Sequence, residues 1–136
     1  KCIKAKGTVL AYNASFERSV LDDLANAFPK EAELIHSILA RIDDLIIPFR
    51  DFSYYHPGQH GSCSIKDVLP ALTGTTYKGL EIQEGGMAQR EYMRITYGNV
   101  TPSEKTKVRA SLLAYCKQDT QSMLDLLKVL QDVSRE

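Results

Sequence analysis

The chain has 136 residues, 43% hydrophobic and 25% charged, a balance that suits a globular domain with a real core and argues against extended disorder. Its 17 basic and 17 acidic residues cancel, so no global positive field attracts nucleic acid, and any such binding has to come from a local groove. Cys2, Cys63 and Cys116 form no CxxC pair and leave an odd count, no apolar run approaches membrane length, and Lys1 to Lys6 is too basic for a secretory signal; a cytoplasmic protein that makes no use of a membrane is expected.

In chain order, Thr8 to Tyr12 is a short run with β-branched and aromatic content and reads as a buried strand. From Ser15 the spacing becomes helical, with Phe16, Val20, Leu21, Leu24 and Phe28 on one face and Asn13 or Ser15 as N-cap. Pro29 opens a second helix, to residue 39, with Leu34, Ile35, Ile38 and Leu39 inward. Arg41 to Asp44 is a second short strand, and two strands joined through helices point to a parallel crossover. Pro48 to Gly61 reads as an irregular, aromatic-rich loop, and Ser64 as the N-cap of a helix over 64–72 with Ile65, Val68, Leu69 and Leu72 inward. Tyr77 to Ile82 is ambiguous, Gly85-Gly86 reads as a turn, and 87–97 as helix. Thr101-Pro102-Ser103-Glu104 has the form of a capping box at the start of a last helix over 102–133. No repeat or interior linker interrupts the chain, so residues 1–136 read as a single domain.

The last helix carries an anomaly. Its apolar stripe runs Val108, Leu112, Cys116, Met123, Leu127 and Leu130, and Asp119 fills the gap. A carboxylate on an inward face is costly unless it is hydrogen-bonded, paired or bound to a cation. Tyr115, four residues earlier, shares its face. The pair is a candidate site; alternatively, Asp119-Thr120 caps a second helix where the first one ends. Near the start, Asn13 at a strand end and Glu17 in the next helix's first turn aim two polar groups at the carboxyl edge of a sheet, where open α/β sheets bind ligands. The plainer alternative is a turn asparagine and a dipole-favoured acid. His56, His60 and Cys63 have loose zinc spacing but supply three ligands across a Pro-Gly turn, and read better as loop polars. Tyr54, Tyr55 and Lys66 could stack on and neutralise a single strand, or the tyrosines could anchor the loop. Asp43-Asp44 reads as a turn or cap.

Asn13-x-x-x-Glu17-x-x-x-Leu21 and Tyr115-x-x-x-Asp119 together resemble the second and third motifs of the DnaQ-like, DEDD-type 3'-5' exonucleases, in the variant with tyrosine in its third motif. The chain is similar to one bacterial family of unknown function within that superfamily. The similarity is carried by Tyr-Asn-Ala-Ser-Phe-Glu at 12–17, Tyr-Tyr-His-Pro at 54–57, Gly61-Ser62, Ser-Ile-Lys-Asp-Val-Leu-Pro at 64–70, Leu-Glu-Ile-Gln at 80–83, Gly85-Gly86 and Tyr-Cys-Lys-Gln-Asp-Thr at 115–120.

The resemblance implies an α/β fold, the α-rich C-terminal portion of an RNase H-like domain with a small, incomplete, mainly parallel sheet. It implies that Glu17 and Asp119 help hold Mg²⁺ or Mn²⁺, that Tyr115 orients the attacking water, that Asn13 steadies the site, and that two metal ions support in-line phosphodiester hydrolysis. Through the resemblance the adjacent pair Asp43-Asp44 could take a supporting role there. The superfamily's first motif, Asp-x-Glu on an upstream strand, occurs nowhere in the chain, and Glu17 stands where the superfamily usually has aspartate. The expectation is therefore a fragment lacking the upstream strands and acids of a metal-dependent exonuclease, with weak metal binding and negligible activity by itself; the alternative is a binding or protein-interaction module that keeps the fold without the chemistry. Glu17 is expected to converge with Tyr115 and Asp119 in one cleft. The expected partners are single-stranded nucleic acid and either a second copy, paired along the exposed edge of the Thr8 to Tyr12 strand, or a segment filling that edge.

Overall fold

A computed structural model describes residues 3–135. The protein is α/β: mostly helical, with one two-stranded parallel sheet. Residues up to Val68 form one compact unit and those from Leu69 a second, the division falling within a helix.

In the first unit, strand β1 (Val9–Ala11) leads into helix α1 (Ser15–Ala27), a single 3-10 turn (Pro29–Glu31), helix α2 (Ala32–Leu39) and strand β2 (Ile42–Asp44). β1 and β2 pair in parallel with Val9 opposite Ile42 and Ala11 opposite Asp44, as the crossover pattern of the sequence predicts. Ala11, Ala14 and Ile42 are buried together, and Val9, Leu21 and Leu39 pack on them. Small residues at 11 and 14 let the strand end and helix start lie close.

α1 differs from its expected face. Leu21 is half-buried and Ala25 buried, whereas Phe16, Val20, Leu24 and Phe28 point to solvent, Phe16 with 73% of its surface exposed. The apolar run at four-residue spacing is therefore an outer stripe, and the inner face is the one of Leu21 and Ala25. Leu34 of α2 is likewise exposed, while Ile35, Ile38 and Leu39 are half-buried.

The stretch read as irregular contains helix α3 (Ile47–Arg50) and a 3-10 turn at Pro57–Gln59. Phe49 is fully buried, stacks on Tyr12 at a ring distance of 6.3 Å and meets Tyr54 edge to face at 6.1 Å. In the 3-10 turn His56 Nδ1 accepts the Gly58 N–H while the buried Gln59 side chain accepts the His56 N–H, a reciprocal cap that the loose zinc spacing concealed. Helix α4 (Ile65–Thr73) begins after Ser64, whose Oγ accepts the Lys66 N–H, as expected, and buries Val68 and Leu69 completely.

The second unit contains helices α5 (Gly85–Tyr97) and α6 (Pro102–Val133), which pack on each other. Gly85 and Gly86 are the first residues of α5 rather than a turn; Glu84 in extended conformation ends the preceding segment. Between α4 and α5 the backbone forms no regular element, yet Tyr77 and Ile82 are buried. Thr101 caps α6 by accepting the Glu104 N–H, but the Glu104 carboxylate turns to Arg94 of α5, which also binds Glu91, so only half of the capping box forms.

α6 is continuous through Asp119 and Thr120, which removes the cap alternative for that pair. Its buried line passes through Ser122 and Leu126, with Tyr115 and Asp119 half-buried beside it, and Cys116, expected on the stripe, is exposed. The helix is rotated relative to the apolar reading because a tyrosine ring and small or polar residues fill its inner line at this level.

Candidate functional site

The residues singled out in the sequence fall into two local constructions. The first is the turn between β1 and α1. Asn13 takes the left-handed conformation (φ 62°), which asparagine tolerates better than most residues, and so cannot be the helix cap; Ala14 occupies that position and makes no side-chain cap. The capping carboxylate comes instead from the end of the neighbouring strand. Asp44 Oδ1 accepts the Asn13 N–H at 2.8 Å and the Ile46 N–H at 3.1 Å, and Oδ2 accepts the Ala14 N–H at 2.9 Å. One side chain thus joins both strand ends and lies at the positive end of α1. Glu17, in the first turn of α1, is exposed.

The same unit carries the aromatic loop. Tyr54 is half-buried against Phe49, in keeping with a loop anchor, whereas Tyr55 is 44% exposed, its ring 5.8 Å from that of Phe52. Lys66 is exposed at the start of α4. Tyr12, just after β1, donates its hydroxyl to the Cys63 carbonyl at 2.6 Å; burial foremost, and then the charges of Cys63, Asp44 and Asp67, hold its phenol well above the usual range.

The second construction surrounds Asp119. Tyr77, only 6% exposed, donates its hydroxyl to Asp119 Oδ1 at 2.8 Å, and Ser122 Oγ lies 3.4 Å from the same phenol oxygen. Ser122, fully buried on α6, donates back to the Gln118 carbonyl at 2.7 Å. The Tyr115 ring is 6.1 Å from that of Tyr77, tilted by 44°. Burial is the main reason that the Tyr77 phenol is pushed up to about 12; the Ser122 hydroxyl opposes this and the Asp119 carboxylate adds to it. Burial and then the charge of Asp119 hold Tyr115 well above the ordinary tyrosine range. Both phenols are therefore neutral hydrogen-bond donors at physiological pH, and neither is a phenolate base. A Cβ on Gly85, at the start of α5, would lie 3.9 Å from Tyr115 Oη, so the helix start borders this cluster.

The inward acid inferred from α6 is thus satisfied by a residue that periodicity does not mark. Tyr77 stands in the segment of ambiguous pattern, and its only signal is a tyrosine in a stretch too short and polar to bury one for packing alone. Asp44 was visible only as half of an acidic pair at a strand end.

Asp119 offers the hard oxygen chemistry that Mg²⁺ or Mn²⁺ requires, but one of its oxygens already accepts the Tyr77 hydroxyl. Among the described residues, no three His, Cys, Asp or Glu side chains gather as a metal site, which applies equally to His56, His60 and Cys63. The donors described here do not by themselves make the coordination sphere of a divalent cation. Glu17 belongs to the first unit, and Tyr115 and Asp119 to the second.

Residues 1–64 match a family described as a domain of unknown function (DUF2779). Over 93% of its length the chain is 24% identical to the uncharacterized protein MG366 of Mycoplasma genitalium, and it spans 21% of that protein. No solved structure matches. No helix among the described residues is long and apolar enough to cross a membrane.

Proposed function

We propose that the chain is part of an RNase H-like, DnaQ-like 3'-5' exonuclease domain that acts on single-stranded nucleic acid in the cytoplasm, with Asp119, Tyr115 and Glu17 as its functional residues. The observation that carries this reading is Asp119 itself: a carboxylate on the half-buried line of a continuous helix, fixed by Tyr77 and accompanied by Tyr115 one turn earlier. Fold maintenance alone favours an apolar residue at such a place, because burying a charge costs more than a hydrogen bond returns. In this reading Tyr77 sets the rotamer of Asp119, and the neutral Tyr115 hydroxyl donates to or orients a water or phosphate oxygen. The parallel β1–β2 pair, with Asn13 and Asp44 at its carboxyl end, is consistent with a ligand edge. The further acids needed for Mg²⁺ or Mn²⁺ come from chain outside residues 1–136, so this stretch binds metal weakly.

The test is a nuclease assay on the longer protein and on residues 1–136, with single-stranded DNA and RNA and with or without Mg²⁺ or Mn²⁺. The expected result is metal-dependent degradation by the longer protein only, lost in Asp119→Ala. Activity in the longer protein that survives both Asp119→Ala and Glu17→Ala refutes the assignment. A second reading, an interaction module that keeps the fold without the chemistry, draws support from the outward apolar stripe of α1; it predicts self-association or partner binding that Phe16→Ser abolishes, and no hydrolysis under any of these conditions.

A further inference from the structure

Phe52 stands where both backbone and solvent work against it. It follows α3 in the left-handed conformation, φ 54°, with the Phe52 N–H directed to the Phe49 carbonyl at 3.4 Å and the Tyr54 N–H to the Pro48 carbonyl at 3.0 Å. Helices end this way most readily on glycine, because a Cβ in that conformation crowds the following carbonyl. A phenylalanine could still be favoured if its ring were buried, but 67% of its surface is exposed. Glycine suits this backbone better, and burial of the ring, which the unit covers only in part and mainly through Tyr55, gives little in return.

The ring does not stand alone. Tyr55 is 44% exposed and its ring centre is 5.8 Å away, tilted by 43°, so the two present a joint aromatic surface. Their neighbours Phe49 and Tyr54 turn the other way and anchor the loop. The residues that adjoin the pair in sequence, Arg50, Asp51, Ser53 and His56, are polar and exposed, Arg50 lying 3.9 Å from the Asp51 carboxylate, and the nearest exposed apolar side chain of α3 is Ile47, a turn before Asp51. An apolar protein partner would be met by a wider apolar surround. Two aromatic faces among polar groups, with a loosely paired arginine two residues away, suit a ligand that is flat and aromatic on one side and anionic on the other.

We infer that Phe52 and Tyr55 form a stacking platform for a nucleobase of single-stranded nucleic acid, with Arg50 facing the backbone phosphate. Every base has a π face, so such a platform is tolerant of sequence, and duplex, whose bases are stacked on each other, is excluded from it. The inference rests on the reading of the ligand as nucleic acid, but it needs neither metal nor hydrolysis.

The experiment uses residues 1–136 in buffer without divalent metal, with fluorescein-labelled oligothymidylate and a duplex of equal length followed by anisotropy. Phe52→Gly is expected to unfold at the same or a higher midpoint than the parent and to bind the single strand about tenfold more weakly. The chain has no tryptophan, so Phe52→Trp provides a single indole; it is expected to bind as the parent does and to be quenched by single strand and not by duplex. A lower midpoint in Phe52→Gly makes the ring structural and overturns the inference. So do unchanged affinity in that variant, absence of single-strand binding in the parent, equal binding of duplex, or an indole blue shift with protein concentration alone, which marks a protein partner. Hydrolysis absent from the longer protein while this binding persists refutes the exonuclease reading and leaves the platform; binding absent while hydrolysis persists does the reverse.

Discussion

Replacing Tyr77 by phenylalanine removes one oxygen and with it the donor to Asp119. The ring stays in place, so the change isolates the hydrogen bond from the packing. The bond is 2.8 Å long, its donor is 6% exposed and its acceptor is a carboxylate, a class of interaction worth about 1.5–3 kcal/mol when shielded from water. Asp119 is only half-buried, so water partly replaces the lost donor, and the expected cost falls to about 1–2 kcal/mol. Urea denaturation of Tyr77→Phe, Asp119→Ala and the double variant measures this as a coupling energy in the transition of the unit that contains the pair. The coupling should be about 1–2 kcal/mol, whereas independent sites add to within about 0.3–0.5 kcal/mol. Additivity within that margin would mean that Tyr77 does not hold the carboxylate, and the account of how Asp119 is tolerated on the inner line of α6 would fail with it.

Asp44→Ala leaves three backbone N–H groups at the β1–α1 turn without their acceptor and should destabilise the first unit by about 2–3 kcal/mol in chemical denaturation; a loss below about 0.5 kcal/mol would show that water serves the turn as well. Asn13→Gly should be nearly neutral, because φ 62° suits glycine, whereas Asn13→Ala should cost about 1 kcal/mol by the same measurement. The Tyr77 phenol is raised to about 12 in the folded chain, so the fold favours its neutral form. That contribution is complete below pH 10, the ordinary tyrosine value, and is lost as pH rises from about 10 to about 12; unfolding midpoints followed through this window should fall, and the fall should shrink in Tyr77→Phe.

Local pattern was sufficient for most of the elements, although α3 lies in a stretch that read as irregular and Gly85-Gly86, which read as a turn, open α5. The β-branched Thr8 and Val9, the change to helical spacing at Ser15, Ser64 before α4, and Thr101-Pro102 before α6 each act within a few residues of chain, and the longer helices, both strands and their parallel pairing follow from them. Asp119 was legible for the same reason, since an acid interrupting an apolar stripe needs no knowledge of its neighbours. What periodicity could not reach was which face of a helix looks inward when both carry apolar residues. On α1 the stripe of Phe16, Val20, Leu24 and Phe28 faces out and that of Leu21 and Ala25 faces in, because the contact of β1, β2 and α1 around Ala11, Ala14 and Ile42 takes one side of the helix and leaves the other to solvent. The partners of polar groups were beyond reach as well. Tyr77 lies 42 positions from Asp119, and Asp44 lies 30 from the Ala14 N–H that it accepts; only the folded chain brings such pairs within 3 Å of one another, because a hydrogen bond is decided by distance in space and leaves no period in the sequence.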